Sequence, residues 1–205
     1  MSGPARFVLA TANPDKARDI EAILAPLADR LELVDRPDDL GEVEETGETL
    51  EENALLKARV LCQATGLPAL ADDTGLEVDA LGGAPGVYSA RYAGEGASYA
   101  ANVAKLSAEM EGRSDRRARF TTVAVAVFPD GTELLASGSV AGRILEEPRG
   151  GNGFGYDPVF CPDEGDGRSF AEMSRKEKNA LSHRGRAFRL LAERLAGRLE
   201  ASAGS

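Results

Sequence analysis

Four groups of polar residues have types and spacings that could do chemistry. The first is Thr11-Ala12-Asn13-Pro14-Asp15-Lys16, in which asparagine suits a helix N-cap and proline the first helical position. A helix start offers free N–H groups and partial positive charge, and Lys16 adds a full charge, so the segment could hold an anion. It is not a Walker A loop, because the glycines and the Lys-Ser/Thr pair are absent. The second and third groups are the acid pairs Glu44-Glu45 and Asp72-Asp73. A hard cation such as Mg²⁺ takes few carboxylates and completes its shell with water and phosphate oxygens. A carboxylate beside such a centre can accept the proton of an attacking water. The fourth group joins Phe154-Gly155-Tyr156-Asp157 with Lys178 and Ser182-His183-Arg184, where an aromatic ring could stack on a base and three cationic side chains could donate to oxygens. Each group also has a plainer reading as a capped helix, a solvated acidic loop, a turn or a helix start. No G-x-S-x-G elbow supports a Ser-His-Asp triad.

These groups fall at the ends of expected elements, the usual place for ligand sites in an α/β sheet. Phe7–Ala10 reads as a short buried strand. The helix behind it carries Ile20, Ile23, Leu24 and Leu27 as an apolar stripe, and Pro26 predicts its end or a kink near Ala25. Leu31–Val34 reads as the next strand, and Asp35–Glu48 as an acidic loop without apolar periodicity. Thr49 and Glu52 match a capping box that opens a helix to about Thr65, closed by Gly66, with Asn53 and Lys57 one turn apart on a shared face. Leu67–Ala71 predicts a strand broken by Asp72-Asp73-Thr74-Gly75, which places both carboxylates at its terminus. Leu81–Gly86 makes a turn, and a helix follows from about Ser98 to Met110. Phe120–Phe128, Pro129-Asp130-Gly131 and Glu133–Val140 read as strand, turn and strand. The glycine-dense stretch Gly150–Gly155 predicts tight bending or close approach to a ligand. Ser174 and Glu177 form a second capping box, and Ser182 opens a last helix with Phe188, Leu191, Leu195 and Leu199 on one face.

The chain has 205 residues, enough for one well-buried core, read here as a single domain over 1–200, with room for two lobes, and a frayed tail over 201–205. With 24 basic and 34 acidic side chains the net charge is -10, which repels nucleic acid and anionic membranes. An anionic ligand therefore needs a local cluster of cations. Two cysteines and one histidine form no zinc spacing, and a reduced cytoplasmic protein is the default expectation. No segment reads as a signal peptide or membrane span.

Six motifs in order, Thr11–Lys16, Glu45–Ala54, Ala71–Leu76, Leu81–Gly86, Phe154–Pro158 and Ser182–Gly185, resemble those of the inosine/xanthosine triphosphate pyrophosphatase family. The match spans nearly the whole chain; Leu50 and Thr74 stand where the family commonly has phenylalanine and serine. The resemblance implies a two-lobed α/β fold with a long mixed sheet flanked by helices, an active-site cleft between lobes, and a homodimer. It implies Mg²⁺-dependent hydrolysis of ITP, dITP and XTP to monophosphate and pyrophosphate, which cleanses the nucleotide pool. By motif position, Thr11 to Lys16 would hold the triphosphate, and Asp73 would be proton acceptor and metal ligand. One of Glu44 and Glu45 would be the other ligand, with Glu44 favoured, and Thr74 would touch substrate. Phe154 would stack on the purine, Gly155, Tyr156 and Asp157 would shape its pocket, and Lys178, His183 and Arg184 would read the 6-oxo group. Two alternatives stay open: a related pyrophosphatase acting on modified pyrimidine or methylated nucleotides, as in the septum-inhibitor-like branch, and a nucleotide-binding module without turnover.

Overall fold

The computed structural model describes residues 3–37, 40, 41 and 43–203. Asp38, Asp39 and Glu42 of the acidic loop, and residues 204 and 205 of the expected tail, lie outside the described residues. The strands are β1 (Ala5–Leu9), β2 (Leu31–Val34), β3 (Ala69–Val78), β4 (Pro85–Gly86), β5 (Arg117–Val127), β6 (Glu133–Ile144) and β7 (Phe160–Pro162). The helices are α1 (Pro14–Leu24), α2 (Leu50–Thr65), α3 (Tyr99–Glu109), α4 (Arg175–Leu181) and α5 (His183–Ala203). Among the described residues the strands pair in the order β2-β1-β3-β5-β6-β7, with β4 against β3. β1 is parallel to both β2 and β3, whereas β4 is antiparallel to β3 and β7 to β6, so the sheet is mixed.

The chain gathers into two compact units. Of the described residues, the first holds those within 3–73, 122–138 and 184–203; the second holds 74–121 and 139–183.

In the first unit the two-residue period of strands sorts the core into two faces. Phe7, Leu9, Leu70, Ala124 and Ala126 pack on one side with Ile20 and Leu24 of α1 and Phe188, Leu191 and Leu195 of α5. Val8, Ala69, Ala71, Val125 and Val127 pack on the other side with Ala54, Ala58 and Leu61 of α2. The second unit has one apolar cluster, built on Leu76, Val78, Leu106, Met110, Phe120, Val140, Ile144, Phe160 and Phe170. Phe120 meets Phe160 edge-on with ring centroids 4.7 Å apart.

Local signals produced the expected caps. Asn13 Oδ1 accepts from the Asp15 and Lys16 amides, and Thr49 with Glu52 and Ser174 with Glu177 both close as capping boxes. α1 ends at Leu24 and passes into one 3-10 turn at Pro26, as a proline there requires. α5 continues through Ala203, past the point where the tail is expected to fray, because Ala-Ser-Ala offers no helix breaker. One expectation is overturned: β3 does not stop at Ala71 but runs on to Val78, so Asp72 and Asp73 lie inside a ten-residue strand. The turn preference of Asp-Asp-Thr-Gly is local, and strand pairing together with charged partners for both carboxylates overrides it. Among the described residues no helix is long and apolar enough to cross a membrane.

Candidate functional site

Because Asp72 and Asp73 are consecutive in a strand, they point to opposite faces, each with its own helix. Asp72 shares the face of Leu70 and α1. Its Oδ2 lies 3.5 Å from Lys16 Nζ and 3.3 Å from Arg184 Nε, and Arg184 Nη1 lies 3.4 Å from Asp19 Oδ2 of α1. Burial alone would push the Asp72 carboxyl up, but Lys16, Arg184 and Lys57 together hold it well below the usual carboxylate range. Lys16 is held below the usual lysine range by burial, with the charges of Lys57 and Arg184 acting against the pull of Asp72.

Asp73 shares the face of Ala71 and α2. Its Oδ1 accepts from Lys57 Nζ at 3.2 Å, and its Oδ2 lies 3.4 Å from Asn53 Nδ2. The same Lys57 ammonium donates to Glu45 Oε1 at 2.7 Å. Burial raises the Asp73 carboxyl, Lys57 and Lys16 offset part of that, and Glu45 and Asp72 add to it. Lys57 is raised: burial opposes its charge, but Asp73, Glu45 and Asp72 more than compensate. A buried carboxylate with raised proton affinity next to a cluster of cations is the environment a general base needs.

The structure separates the two candidate acids of the loop. Glu45 reaches the cluster through Lys57, whereas Glu44 is exposed. The contact with Lys57 thus belongs to Glu45 and not to Glu44, the acid favoured by motif position. Among the described residues no three of His, Cys, Asp and Glu gather to enclose a metal. Two carboxylates converging on one ammonium nevertheless form a pair of hard-oxygen donors already holding a cation, which suits an ion that takes few protein ligands.

The expected anion segment is partly spent on its own cap. Thr11 Oγ1 accepts from the Asn13 amide at 3.2 Å, and Asn13 Oδ1 occupies the amides of Asp15 and Lys16. Asp15 pairs with Arg18 at 2.7 Å, and Ala12 and Pro14 are exposed. Lys16 is the member of this segment that joins the buried cluster.

In the second unit, Asp157 Oδ2 accepts from the Phe154 amide at 2.8 Å and from Lys178 Nζ at 2.5 Å. Lys178 Nζ lies 4.6 Å over the Phe154 ring, so one carboxylate positions both the ring and the cation. Gly153 lies at φ +72°, and a Cβ there would come within 2.1 Å of Asp157 Oδ2, which accounts for glycine beside Phe154 and Gly155. Tyr156 is buried and donates to the Ser89 carbonyl at 2.9 Å; burial raises its hydroxyl above the usual tyrosine range. His183 is buried and stacks on Phe120, centroids 4.5 Å apart, while Thr74 is half-buried at the start of this unit's share of β3. Tyr99, at the start of α3, packs its ring 5.8 Å from Phe154.

The structure thus gathers Lys16, Asp72, Asp73 and Arg184 in the first unit with Glu45, and Phe154, Asp157 and Lys178 in the second. The expected base contact of Arg184 has to share its guanidinium with Asp19 and Asp72. Removing it leaves two buried carboxylates without that cation, so Arg184→Met lowers stability by about 3–5 kcal/mol, read as a fall in the denaturant midpoint; an unchanged midpoint refutes this. Asp19, Lys57, Asn53 and Tyr99 are site neighbours that sequence reasoning did not assign. The only signal for them was that Asn53 and Lys57 lie one turn apart on one face of α2.

A model of the Ham1 family matches residues 7–194. The dITP/XTP pyrophosphatase of Streptomyces avermitilis is 50% identical over 190 residues, covering 91% of this chain and 94% of that relative. The dITP/XTP pyrophosphatase of Geobacter sulfurreducens is 52% identical over 192 residues, covering 93% and 96%. The solved structure of a HAM1 protein from Coxiella burnetii matches with a TM-score of 0.85 at 40% identity, covering 94% of this chain and 99% of that one. The resemblance read from the six motifs is borne out, and with a match extending through nearly all of the sequence, the chain belongs to the Ham1 family.

Proposed function

We propose that this protein hydrolyses non-standard purine nucleoside triphosphates, dITP, ITP and XTP, to the monophosphate and pyrophosphate. The observation that carries the reading is the convergence of Glu45 and the buried Asp73 on the Lys57 ammonium, in a chain half identical to dITP/XTP pyrophosphatases.

Water attacks the α-phosphorus, its proton passes to Asp73 Oδ, and the bond from that phosphorus to the α,β-bridging oxygen breaks, releasing pyrophosphate. Burial raises the proton affinity of Asp73 and so makes it a better acceptor. Lys16 and Lys57 offset triphosphate charge in a buried setting, where each cation counts for more than in water. Asp72 keeps Lys16 in place, and Arg184 with Asp19 keeps Asp72 in place. Glu45 and Asp73 would hold Mg²⁺, which when bound polarises the phosphate oxygens and makes water easier to deprotonate. In the second unit Phe154 offers a ring for the purine, and Lys178, fixed by Asp157, a donor for the 6-oxo oxygen. An adenine amino group there would leave that donor facing another donor, at about 1–3 kcal/mol. The resemblance adds a homodimer to this reading, and the cysteine usage a cytoplasmic setting.

A panel of triphosphates with Mg²⁺ and a pyrophosphate-specific readout tests the proposal. dITP, ITP and XTP are expected to turn over at least about 10²-fold faster than ATP by kcat/KM. Direct release of orthophosphate, or preference for pyrimidines, overturns it.

A further inference from the structure

Asn53 is fully buried on α2 and is used by neither the proposed chemistry nor the apolar core. Its side chain makes two different bonds. The Gly47 amide, which can only donate, points at Oδ1 at 2.8 Å, which fixes the amide orientation and leaves Nδ2 facing Asp73 Oδ2 at 3.4 Å. One turn further along, Lys57 repeats the pattern, touching the loop at Glu45 and the strand at Asp73.

The loop is pressed onto α2 at this point. A Cβ on Gly47 would fall 2.7 Å from both Asn53 Oδ1 and Glu52 Cβ. Gly47 is not among the glycines with positive φ, so it is small for closeness and not for backbone freedom. The next two amides, Glu48 and Thr49, donate to Glu52 Oε2 at 2.7 and 3.2 Å. Glu45 thus sits two residues from a clamped backbone position, and the clamp is the residue that also touches Asp73.

We propose that Asn53 is a positioning residue that sets the separation of Glu45 from Asp73, by accepting from the Gly47 amide while donating to the Asp73 carboxylate. The inference rests on the reading of Glu45 and Asp73 as the acid pair of a phosphohydrolase. An apolar residue would fill the same space but leave a half-buried amide and a buried carboxylate oxygen each short of a bond, and the loop free to shift.

The test uses Asn53→Leu, Gly47→Ala and the double variant, with two readouts: steady-state dITP hydrolysis, and Mn²⁺ uptake by the nucleotide-free protein, followed by the paramagnetic resonance of free Mn²⁺. Each single variant is expected to lower kcat about 30-fold with KM within about threefold, and to weaken Mn²⁺ binding about tenfold. The double variant is expected to be no worse than the poorer single one, since both break the same clamp. Asn53→Leu or Gly47→Ala retaining kcat and Mn²⁺ affinity within about twofold overturns the inference, as do a rise in KM alone or losses that multiply in the double variant. If Asn53→Leu does not fold, Gly47→Ala decides by the same criteria. Wild-type protein that takes up no Mn²⁺ overturns the acid pair and the inference together. Wild-type protein that takes up Mn²⁺ but leaves dITP intact overturns only the substrate reading, because the Mn²⁺ titration reads Asn53 without turnover.

Discussion

Asp73→Asn is expected to lower kcat for dITP by about 10³-fold or more, while the nucleotide still binds with a Kd within about threefold of wild type. The substitution keeps the size of the side chain and an oxygen for the Lys57 ammonium, which lies 3.2 Å from Asp73 Oδ1. It removes the proton acceptor and one of two negative charges on that ammonium. Asn53 Nδ2, now 3.4 Å from a carboxylate oxygen, would face an amide and has to reorient. Of the groups that carry phosphate and base contacts in the proposed mechanism, Lys16 and Lys178 are paired with Asp72 and Asp157, and Lys57 keeps its charge and its contact with Glu45, so binding is largely spared. Single-turnover pyrophosphate release and equilibrium nucleotide binding, measured on the same preparation, separate the two effects. Near wild-type turnover removes Asp73 from its role as base.

The second large effect discriminates between adjacent residues. Glu45→Gln is expected to lower kcat about 10²-fold and to raise the divalent-ion concentration needed for half-maximal rate. Glu44→Gln is expected to remain within about twofold, as surface substitutions away from special contacts generally do. Glu45 donates its charge to the cluster through a 2.7 Å contact with Lys57, and Glu44 is exposed. Equal losses in the two variants would overturn the assignment of the proposed second metal ligand to Glu45, and a loss in Glu44→Gln alone would assign it to Glu44.

Much of the local structure was legible in the sequence because its causes lie within a few residues. Asn13 before Pro14, Thr49 with Glu52 and Ser174 with Glu177 each satisfy helix amides from the same short segment, and all three form. The turn at Pro129-Asp130-Gly131 is closed by backbone bonds between Phe128 and Gly131 and between Phe128 and Thr132. The site was legible as a set of polar groups at element ends, and less so as geometry. The strand through Asp72-Asp73-Thr74-Gly75 was missed because turn-forming residues were weighed without the partners that hold both carboxylates. Asp19 gave no signal at all, since a lone acid in a helix is ordinary until a distant arginine is placed against it.

By itself the sequence determined which residue types were available: two acid pairs, a capped helix start with a lysine, an aromatic loop with later cations, and too negative a total charge to hold anions without local help. It also settled the family, because six short motifs in order are a property of the chain and not of its folding. Only the tertiary structure decided what each acid touches. Strand alternation sends Asp72 toward α1 and Arg184 and its neighbour Asp73 toward α2, so one carboxylate holds a cation scaffold while the other faces Lys57 and Glu45. Those partners lie 16 to 112 residues away along the chain, and electrostatic energy depends on separation in space, which no local spacing rule encodes.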